Sequence, residues 1–457
     1  MRNMTPENIA AACGGVLSGC EALSGQEMTM VITDSRKAIP GSLYIPMKGA
    51  RDGHDFIAAA FKNGAVLTLT EREEAAEGFP FIKVERTDIA IQRIAEFYRK
   101  QFDIPVVGIT GSVGKTSTKE MIASMLSEKY NVLKTEKNFN NNLGLPLTLF
   151  NLRPEHEVAV VEMGISHFGE MTDLARTARP DIMVINNIGT CHLEFLKDRD
   201  GVFAAKTECF EYLRSDGIVV LNGDDDKLAA VKEVHGRAPI FYGRSPRCRV
   251  TAENETPCGF DGTDIIVSAD DREFPVHVPF AGSHMVMNAL AAVTVGSLLG
   301  LTDEEINRGI AKTPASEGRH RVIRTDFMTL IDDCYNANPV SMKAAVRTLA
   351  MAKTRKVAIL GDMGELGADE EALHFETGEE AGKLGIDLFV IIGPLGRKIA
   401  EGIRSADPKA AIRQFESVEK SIPAIDGLIE KGDTVLVKAS HFMHFEKIVN
   451  WLTGETK

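Results

Sequence analysis

The chain has 457 residues and carries 52 Lys+Arg against 65 Asp+Glu, a net charge of −13. That length provides for about two to four domains with cores of their own, and the acidic balance argues against nonspecific binding to nucleic acid. No apolar run approaches the ~20 residues of a membrane span, the N-terminus has no apolar signal segment, and the seven scattered cysteines form no C-x-x-C pair. Zinc and a disulfide framework are thereby disfavoured, and a cytoplasmic protein with reduced thiols is expected.

Residues 1–85 read as a small α/β unit. Thr5 is placed to cap a helix whose first position is Pro6. A strand-like run at Val31–Ile32, the turn Pro40-Gly41, a second strand at Leu43–Ile45 and a helix at Ile57–Phe61 follow. Ser35, Arg36, Asp52, His54 and Asp55 stand on two loops at strand ends, where open α/β sheets bind ligands. Taken alone, such residues more often belong to solvated loops than to a site.

From 86 to 313 a helix at Ile89–Phe102 leads through Pro105 into the run Val106-Val-Gly-Ile-Thr-Gly-Ser-Val-Gly-Lys-Thr-Ser117. Apolar runs at Val158–Met163, Ile182–Asn186 and Ile218–Asn222 then alternate with helix-like segments, the rhythm of a mostly parallel sheet covered on both faces. Between 238 and 281 the pattern changes to short alternating strands such as Asp264–Ser268 and Phe274–Val278, a hairpin-rich insertion or edge. Helices are expected at His284–Leu299 and Thr302–Lys312. Thr313-Pro-Ala-Ser-Glu-Gly318 breaks the periodicity and marks a boundary. Beyond it, strands at 328–332, 356–360, 388–392 and 434–438 alternate with helices at 340–352, 369–384, 394–405, 417–430 and 443–452. The fold class expected is α/β in three domains. A small α/β domain (1–85) and a Rossmann-like domain (314–457) flank a central P-loop domain with a parallel sheet (86–313).

The organising stretch is the glycine turn after Val106–Thr110. Apolar strand, turn and helix start together read as a phosphate cradle, with Gly111, Ser112, Gly114 and Ser117 forming its walls. Lys115 is placed for the outer phosphates and the Thr116 hydroxyl for Mg²⁺. The strict G-x-x-x-x-G-K-[ST] spacing is not met, because its first glycine falls at Ile109. Glu162 closes a strand beside the cradle, where a carboxylate is placed to hold a cation. His192 lies on the loop after the next strand, with Glu194 two residues on. Lys206, in a helical segment, reads by itself as a surface lysine paired with Glu208 or a neighbour. The polar stretch Thr135–Pro146, with Asn141 and Asn142, offers amides to a peptide or carboxylate, or else is a cluster of turns. Asp332–Pro339 and Gly361–Gly367 follow strands of the last region directly, as does Ser440, and should share one rim of its sheet.

Taken together, Thr110–Ser117, the Asn-rich loop, Val160-Val-Glu-Met-Gly164, His192-Leu-Glu194, Ala205-Lys-Thr-Glu208, Asn288-Ala-Leu-Ala-Ala292, Gly318-Arg319, Asp332–Met342 and Leu360–Gly367 resemble, in content and order, the Mur ligases of peptidoglycan synthesis. The last two motifs resemble the branch of the family that adds a dipeptide, and the D-N-P-R signature of the diaminopimelate-adding branch is absent. The resemblance spans roughly residues 30–450. It implies an ATP-dependent ligase that joins D-alanyl-D-alanine to the peptide carboxylate of UDP-N-acetylmuramoyl-tripeptide, with MgATP and an acyl-phosphate intermediate. It further implies that Ser35, Arg36, Asp52 and His54 meet the UDP substrate. Lys115, Lys206 and His192 become catalytic, with Thr116, Glu162, His192 and a carbamylated Lys206 around the metal. Asn288, Arg319 and Asp333 become nucleotide contacts, and Tyr335, Asn336, Asn338 and Ser440 candidates on the dipeptide side. A monomer is expected. Val113 and His441 replace the Asn and Arg common at those places, and Met285 also departs from the family pattern.

Two other readings predict different behaviour. A ligase that adds a single amino acid, or a folylpolyglutamate synthase, releases ADP with a different amine or acid acceptor. A nucleotide-gated binding protein hydrolyses ATP without forming a stoichiometric amide.

Overall fold

Three runs of strand and helix close into three separate sheets in the computed structural model, which describes residues 1–454. The chain opens with α1 (Pro6–Cys13), where the Thr5 side chain accepts from the Asn8 N–H and Pro6 fills the first turn. Around it run β1 (Val16–Ser18), β2 (Met30–Ile32), β3 (Ser42–Tyr44), α2 (Ile57–Lys62), β4 (Ala65–Thr70) and β5 (Phe81–Lys83). The sheet order is β1-β5-β4-β3-β2, parallel except for β1 on β5. Helix α3 (Thr87–Arg99) then carries the chain into the middle sheet.

The middle unit contains β6 (Val106–Thr110), α4 (Lys115–Leu126), β7 (Val132–Lys134), α5 (Gly144–Leu149), β8 (Val158–Glu162) and α6 (Glu170–Ala178). It continues through β9 (Ile182–Ile185), α7 (Leu193–Leu196), α8 (Arg199–Thr207), β10 (Ile218–Asn222) and β11 (Ile240–Tyr242). Strands β12 (Val250–Pro257), β13 (Thr263–Ala269) and β14 (Arg272–Val278) precede α9 (Ser283–Leu298) and α10 (Asp303–Ala311). The order is β14-β13-β12-β11-β10-β9-β6-β8-β7. The inner strands are parallel and buried at every position, which is why they read as continuous apolar runs. Strands β12 to β14 form the antiparallel edge foreshadowed by the alternating pattern between 238 and 281.

The last unit holds β15 (Arg321–Arg324), β16 (Thr329–Asp332), α11 (Pro339–Ala350), β17 (Lys356–Gly361), α12 (Glu370–Gly382) and β18 (Leu388–Ile392). It ends with α13 (Gly396–Ala406), β19 (Ile412–Phe415), α14 (Val418–Ile425), β20 (Thr434–Lys438) and α15 (Glu446–Thr453). Its order, β15-β16-β20-β17-β18-β19, is parallel except for β15 on β16. Strands β15 and β19 were not expected from the sequence, and α14 stops at Ile425 rather than 430, two residues after Pro423.

The cores explain the grouping. One cluster of buried side chains runs from Leu67 and Ile82 of the first sheet through Ile91 and Ile94 of α3 to Ala159 and Met183 of the middle sheet. The other face of the middle sheet is covered by α4 and α9, through Ile122 and Leu290. The third sheet has clusters of its own on its two faces. No helix among the described residues is long and apolar enough to cross a membrane, and all seven cysteines are free thiols.

Candidate active site

A cleft of about 800 Å³ opens between the carboxyl ends of the middle and third sheets, the edge where open α/β sheets bind ligands. Its floor is the turn after β6. Gly114, at φ +83, is the residue before α4, and a Cβ there would stand 2.7 Å from Asn288 Oδ1. Backbone angle and space therefore both require glycine. The first main-chain bond of the helix runs from Thr118 N–H to Gly114 O, so the N–H groups of Lys115, Thr116 and Ser117 have no partner inside the helix. With the helix dipole behind them they form an anion site.

The loop after β9 fixes this turn. Asn187 accepts from Ser112 N–H through its carbonyl at 3.1 Å and from Val113 N–H through its side chain at 3.0 Å. Asn186 donates to Thr118 Oγ1 at 2.8 Å, and Ser112 Oγ accepts from Gly189 N–H at 2.8 Å. Lys115 folds back over the turn, its Nζ 2.8 Å from Gly111 O. Loss of solvation in the cleft, reinforced by the neighbouring Lys206 ammonium, pulls its pKa down to about 8.

Beside the cradle, Glu162 is only 2% exposed. Its Oε1 accepts from Asn140 at 2.8 Å, while Oε2 is buried with no hydrogen-bond partner. An orphaned carboxylate oxygen next to a phosphate cradle suits a hard cation, with the Thr116 hydroxyl as its companion ligand. No three His, Cys, Asp or Glu side chains among the described residues gather into a cage. A Mg²⁺ held here would take its remaining ligands from phosphate and water, its usual habit.

Lys206 departs from the surface pairing that its position in the sequence suggests. It is 1% exposed, and Glu208 instead accepts from the Gly169 N–H and from Thr172. Burial lowers the Lys206 pKa, with only the thiols of Cys191 and Cys209 opposing. His192 Nδ1 is paired with the Glu365 carboxylate of the third unit. That hydrogen bond outweighs burial and holds the Glu365 pKa below the usual glutamate value.

The opposite wall comes from the third sheet. Asp333, directly after β16, accepts from Lys438 Nζ at 2.6 Å and from His320 N–H at 3.1 Å. Burial opposes its charge, but Lys438 and His320 prevail and hold the carboxyl well below the usual range. His284, edge-on to His320 at 5.0 Å, is pushed down to about 3 by burial and stays neutral. Arg319 lies 4.1 Å over the Tyr335 ring, which stacks on His441 at 5.3 Å. Ser440 Oγ accepts from Gly364 N–H at 2.9 Å and donates to Ala337 O at 3.1 Å, tying three loop ends together. Asn336 lines the cleft and gives its carbonyl to Lys438 at 3.0 Å. Asn338 also lines it, yet its side chain is the N-cap of α11, in a reciprocal box with Ser341.

The structure therefore brings Lys115, Thr116, His192, Asn288, Arg319, Asp333, Asn336, Asn338 and Ser440 to one cleft. Ser35, Arg36, Asp52 and His54 are not in its lining; they lie on loops of the first sheet. Arg36 pairs with Asp34. His54 is buried with both ring nitrogens engaged, by Asp52 and by the Glu71 N–H, so it holds the loop rather than offering a free nitrogen. Asn141 Oδ1 accepts from the Leu143 and Gly144 N–H groups in the turn before α5, and Asn142 keeps a buried carbonyl oxygen without a partner. Asn186, Asn187, His284 and Lys438 were not anticipated, while Asn140 and Glu365 lie in the marked stretches 135–146 and 361–367 without having been singled out. Asn186 and Asn187 directly follow β9, the same strand-end signal that marked Glu162.

Comparison with known proteins matches the same three stretches. Residues 27–102 match the profile described as Mur ligase family, catalytic domain; 109–296 match the Mur ligase middle domain; and 318–441 match the Mur ligase, glutamate ligase domain. The chain is 36% identical to the UDP-N-acetylmuramoyl-tripeptide–D-alanyl-D-alanine ligase of Bacillus subtilis (strain 168), over 98% of both chains. It superposes on crystal structure I of MurF from Acinetobacter baumannii with TM-score 0.91, at 31% identity and 98% coverage of both chains. It superposes on the MurF ligase of Thermotoga maritima in complex with ADP with TM-score 0.82, at 29% identity, covering 93% of this chain and 97% of that one. With a helix-end phosphate cradle facing a second polar wall from a separate sheet, and with relatives matched almost end to end, the chain belongs to the Mur ligase family.

Proposed function

We propose that this chain joins D-alanyl-D-alanine to the peptide carboxylate of UDP-N-acetylmuramoyl-tripeptide, consuming ATP and releasing ADP, phosphate and the UDP-linked pentapeptide. The observation that carries the reading is the pairing of a phosphate cradle with a second, separately built wall on one cleft. A carboxylate is a poor acylating agent, and transfer of the γ-phosphoryl group to it creates an acyl phosphate with a good leaving group. The dipeptide amine then forms the amide bond as the acyl–oxygen bond to phosphate breaks. The relatives named for this ligase, and the ADP in the Thermotoga maritima structure, support it.

In this reading the free N–H groups of α4 and the Lys115 ammonium bind and orient the phosphates. Glu162 and Thr116 would hold Mg²⁺, which supplies charge neutralisation on the phosphoryl oxygens. Lys206, buried and with its charged form disfavoured, suits conversion to a carbamate, which would set a negative group near Lys115. The third unit shields the acyl phosphate from water and presents the dipeptide from the Asn336, Ser440 and Tyr335 side. The first-sheet loops with Ser35, Arg36 and Asp52 are assigned to the UDP end. The free thiols support a cytoplasmic setting.

Mass spectrometry of a reaction containing UDP-N-acetylmuramoyl-tripeptide, D-alanyl-D-alanine and MgATP tests the reading. Pentapeptide is expected in step with ADP; ADP accumulating without it would sink the assignment. Lys206→Ala is expected to abolish ligation, with no recovery on adding bicarbonate, and near-normal turnover of that variant would refute the carbamate.

A further inference from the structure

His192 and Glu365 meet at the mouth of the cleft, one on the loop after β9 and the other on the loop after β17. Both are held in the left-handed backbone region, at φ +54 and +59. Residues with side chains keep that conformation only where their surroundings enforce it. Here the two loops enforce it on each other. His192 Nδ1 contacts the Glu365 carboxylate, and the Glu194 N–H reaches Glu365 O at 3.5 Å. Gly367, at φ +69, lets the second loop lie so close that a Cβ would stand 3.3 Å from Glu194 N.

An ionised carboxylate only accepts hydrogen bonds, so the His192 Nδ1 carries a proton and Nε2, with its lone pair, is the ring atom left to ligate a cation. A carboxylate on the far nitrogen is the usual device that fixes the tautomer and aim of a ligating imidazole. In this chain histidine and carboxylate belong to different sheets with separate cores. We propose that Glu365 is a positioning residue for the ligation reaction. By docking, the third unit supplies the carboxylate that fixes His192, so the phosphate side becomes competent only when the amine side is in place. This rests on the ligase reading above.

Nitrogen-15 NMR of histidine-labelled full-length protein at about pH 8.5, above the ordinary histidine range, reads the tautomer without substrate, with His192→Gln providing the assignment. Wild-type His192 is expected as Nδ1–H, and Glu365→Ala should shift it toward the Nε2–H form. Steady-state kinetics should show kcat of Glu365→Ala down about 10- to 100-fold, with KM for ATP changed less than about threefold. Glu365→Gln, whose amide oxygen still accepts from Nδ1, should recover most of the loss. An Nε2–H tautomer in the wild type, or kcat of the Ala variant within about twofold of wild type, overturns the inference. The tautomer is read independently of which amine is joined, so a missing pentapeptide product would remove the ligase assignment and leave this result standing.

Discussion

At the scale of single residues, the cradle makes two demands that ordinary side chains cannot meet. Gly114 has both a left-handed backbone and Asn288 Oδ1 at 2.7 Å from any added Cβ. Gly114→Ala is therefore expected to lower stability by about 1–3 kcal/mol and to weaken nucleotide binding, as read by thermal melting with and without MgADP; an unchanged ligand-induced shift would count against the site. Lys115 gives a pH signature. Its ammonium, titrating near pH 8 in the free protein, is the form that phosphate prefers. With Lys206 kept as the free amine in bicarbonate-free buffer, nucleotide affinity should fall as pH rises through about 8, and calorimetric titrations that stay flat between about pH 7 and 9 under those conditions would exclude Lys115 as a phosphate contact. Glu162, His192 and Lys115 were legible as chemistry because each stands at a strand or helix end. Their partners were not, since Glu365 lies 173 residues from His192 and no local pattern records a pairing made by docking. Lys206 was legible only through family resemblance, because its burial is a tertiary fact.

At the scale of elements, apolar runs announced most of the buried parallel strands of the middle and third sheets, whereas β1, β4, β5, β7, β15 and β19 passed unseen. β19 occupies a sheet edge, and its two adjacent exposed residues, Arg413 and Gln414, look like loop. The asparagines of Thr135–Pro146 and Asp332–Pro339 promised ligand contacts, but Asn141 is spent on the turn before α5 and Asn338 on capping α11. Asn338→Ala should cost about 1 kcal/mol of stability, and Asn338→Asp should retain it in urea unfolding; a loss confined to dipeptide KM would instead make Asn338 a substrate contact. Strands β16 and β20 are joined at their ends by Asp333 and Lys438, both buried. Lys438→Met leaves that carboxylate without its counter-charge and is expected to destabilise the third unit by about 3–5 kcal/mol. A urea midpoint within about 1 kcal/mol of wild type would show that the pair contributes little.

At the scale of the molecule, the hydrophobic clusters divide the chain unequally. The first and middle sheets share one continuous core through α3, while the third has clusters of its own, with Phe260 of the middle unit packed against one of them. The sequence break at 313–318 lies between α10 and β15, but nothing in the sequence indicated that the first two sheets would share a core. Calorimetry should resolve two transitions, with a non-hydrolysable ATP analogue with Mg²⁺ raising the one that contains α4 more than the other. A single transition shifting as a whole would contradict that division. The exposed pair Arg324–Asp261, 2.6 Å apart, adds little to holding the units together.

The independent core of the third unit has a consequence for how such a chain can diversify. The phosphate cradle is built into one folding body and the wall that faces it into another, and a stretch of only a few residues joins them. Recombination at that join can exchange the second body as a cassette if the contacts between the two bodies are kept, Phe260 and the His284–His320 pair among them. The clasp through His192 and Glu365 is then the compatibility rule: a grafted cassette works only if it brings a carboxylate to that point.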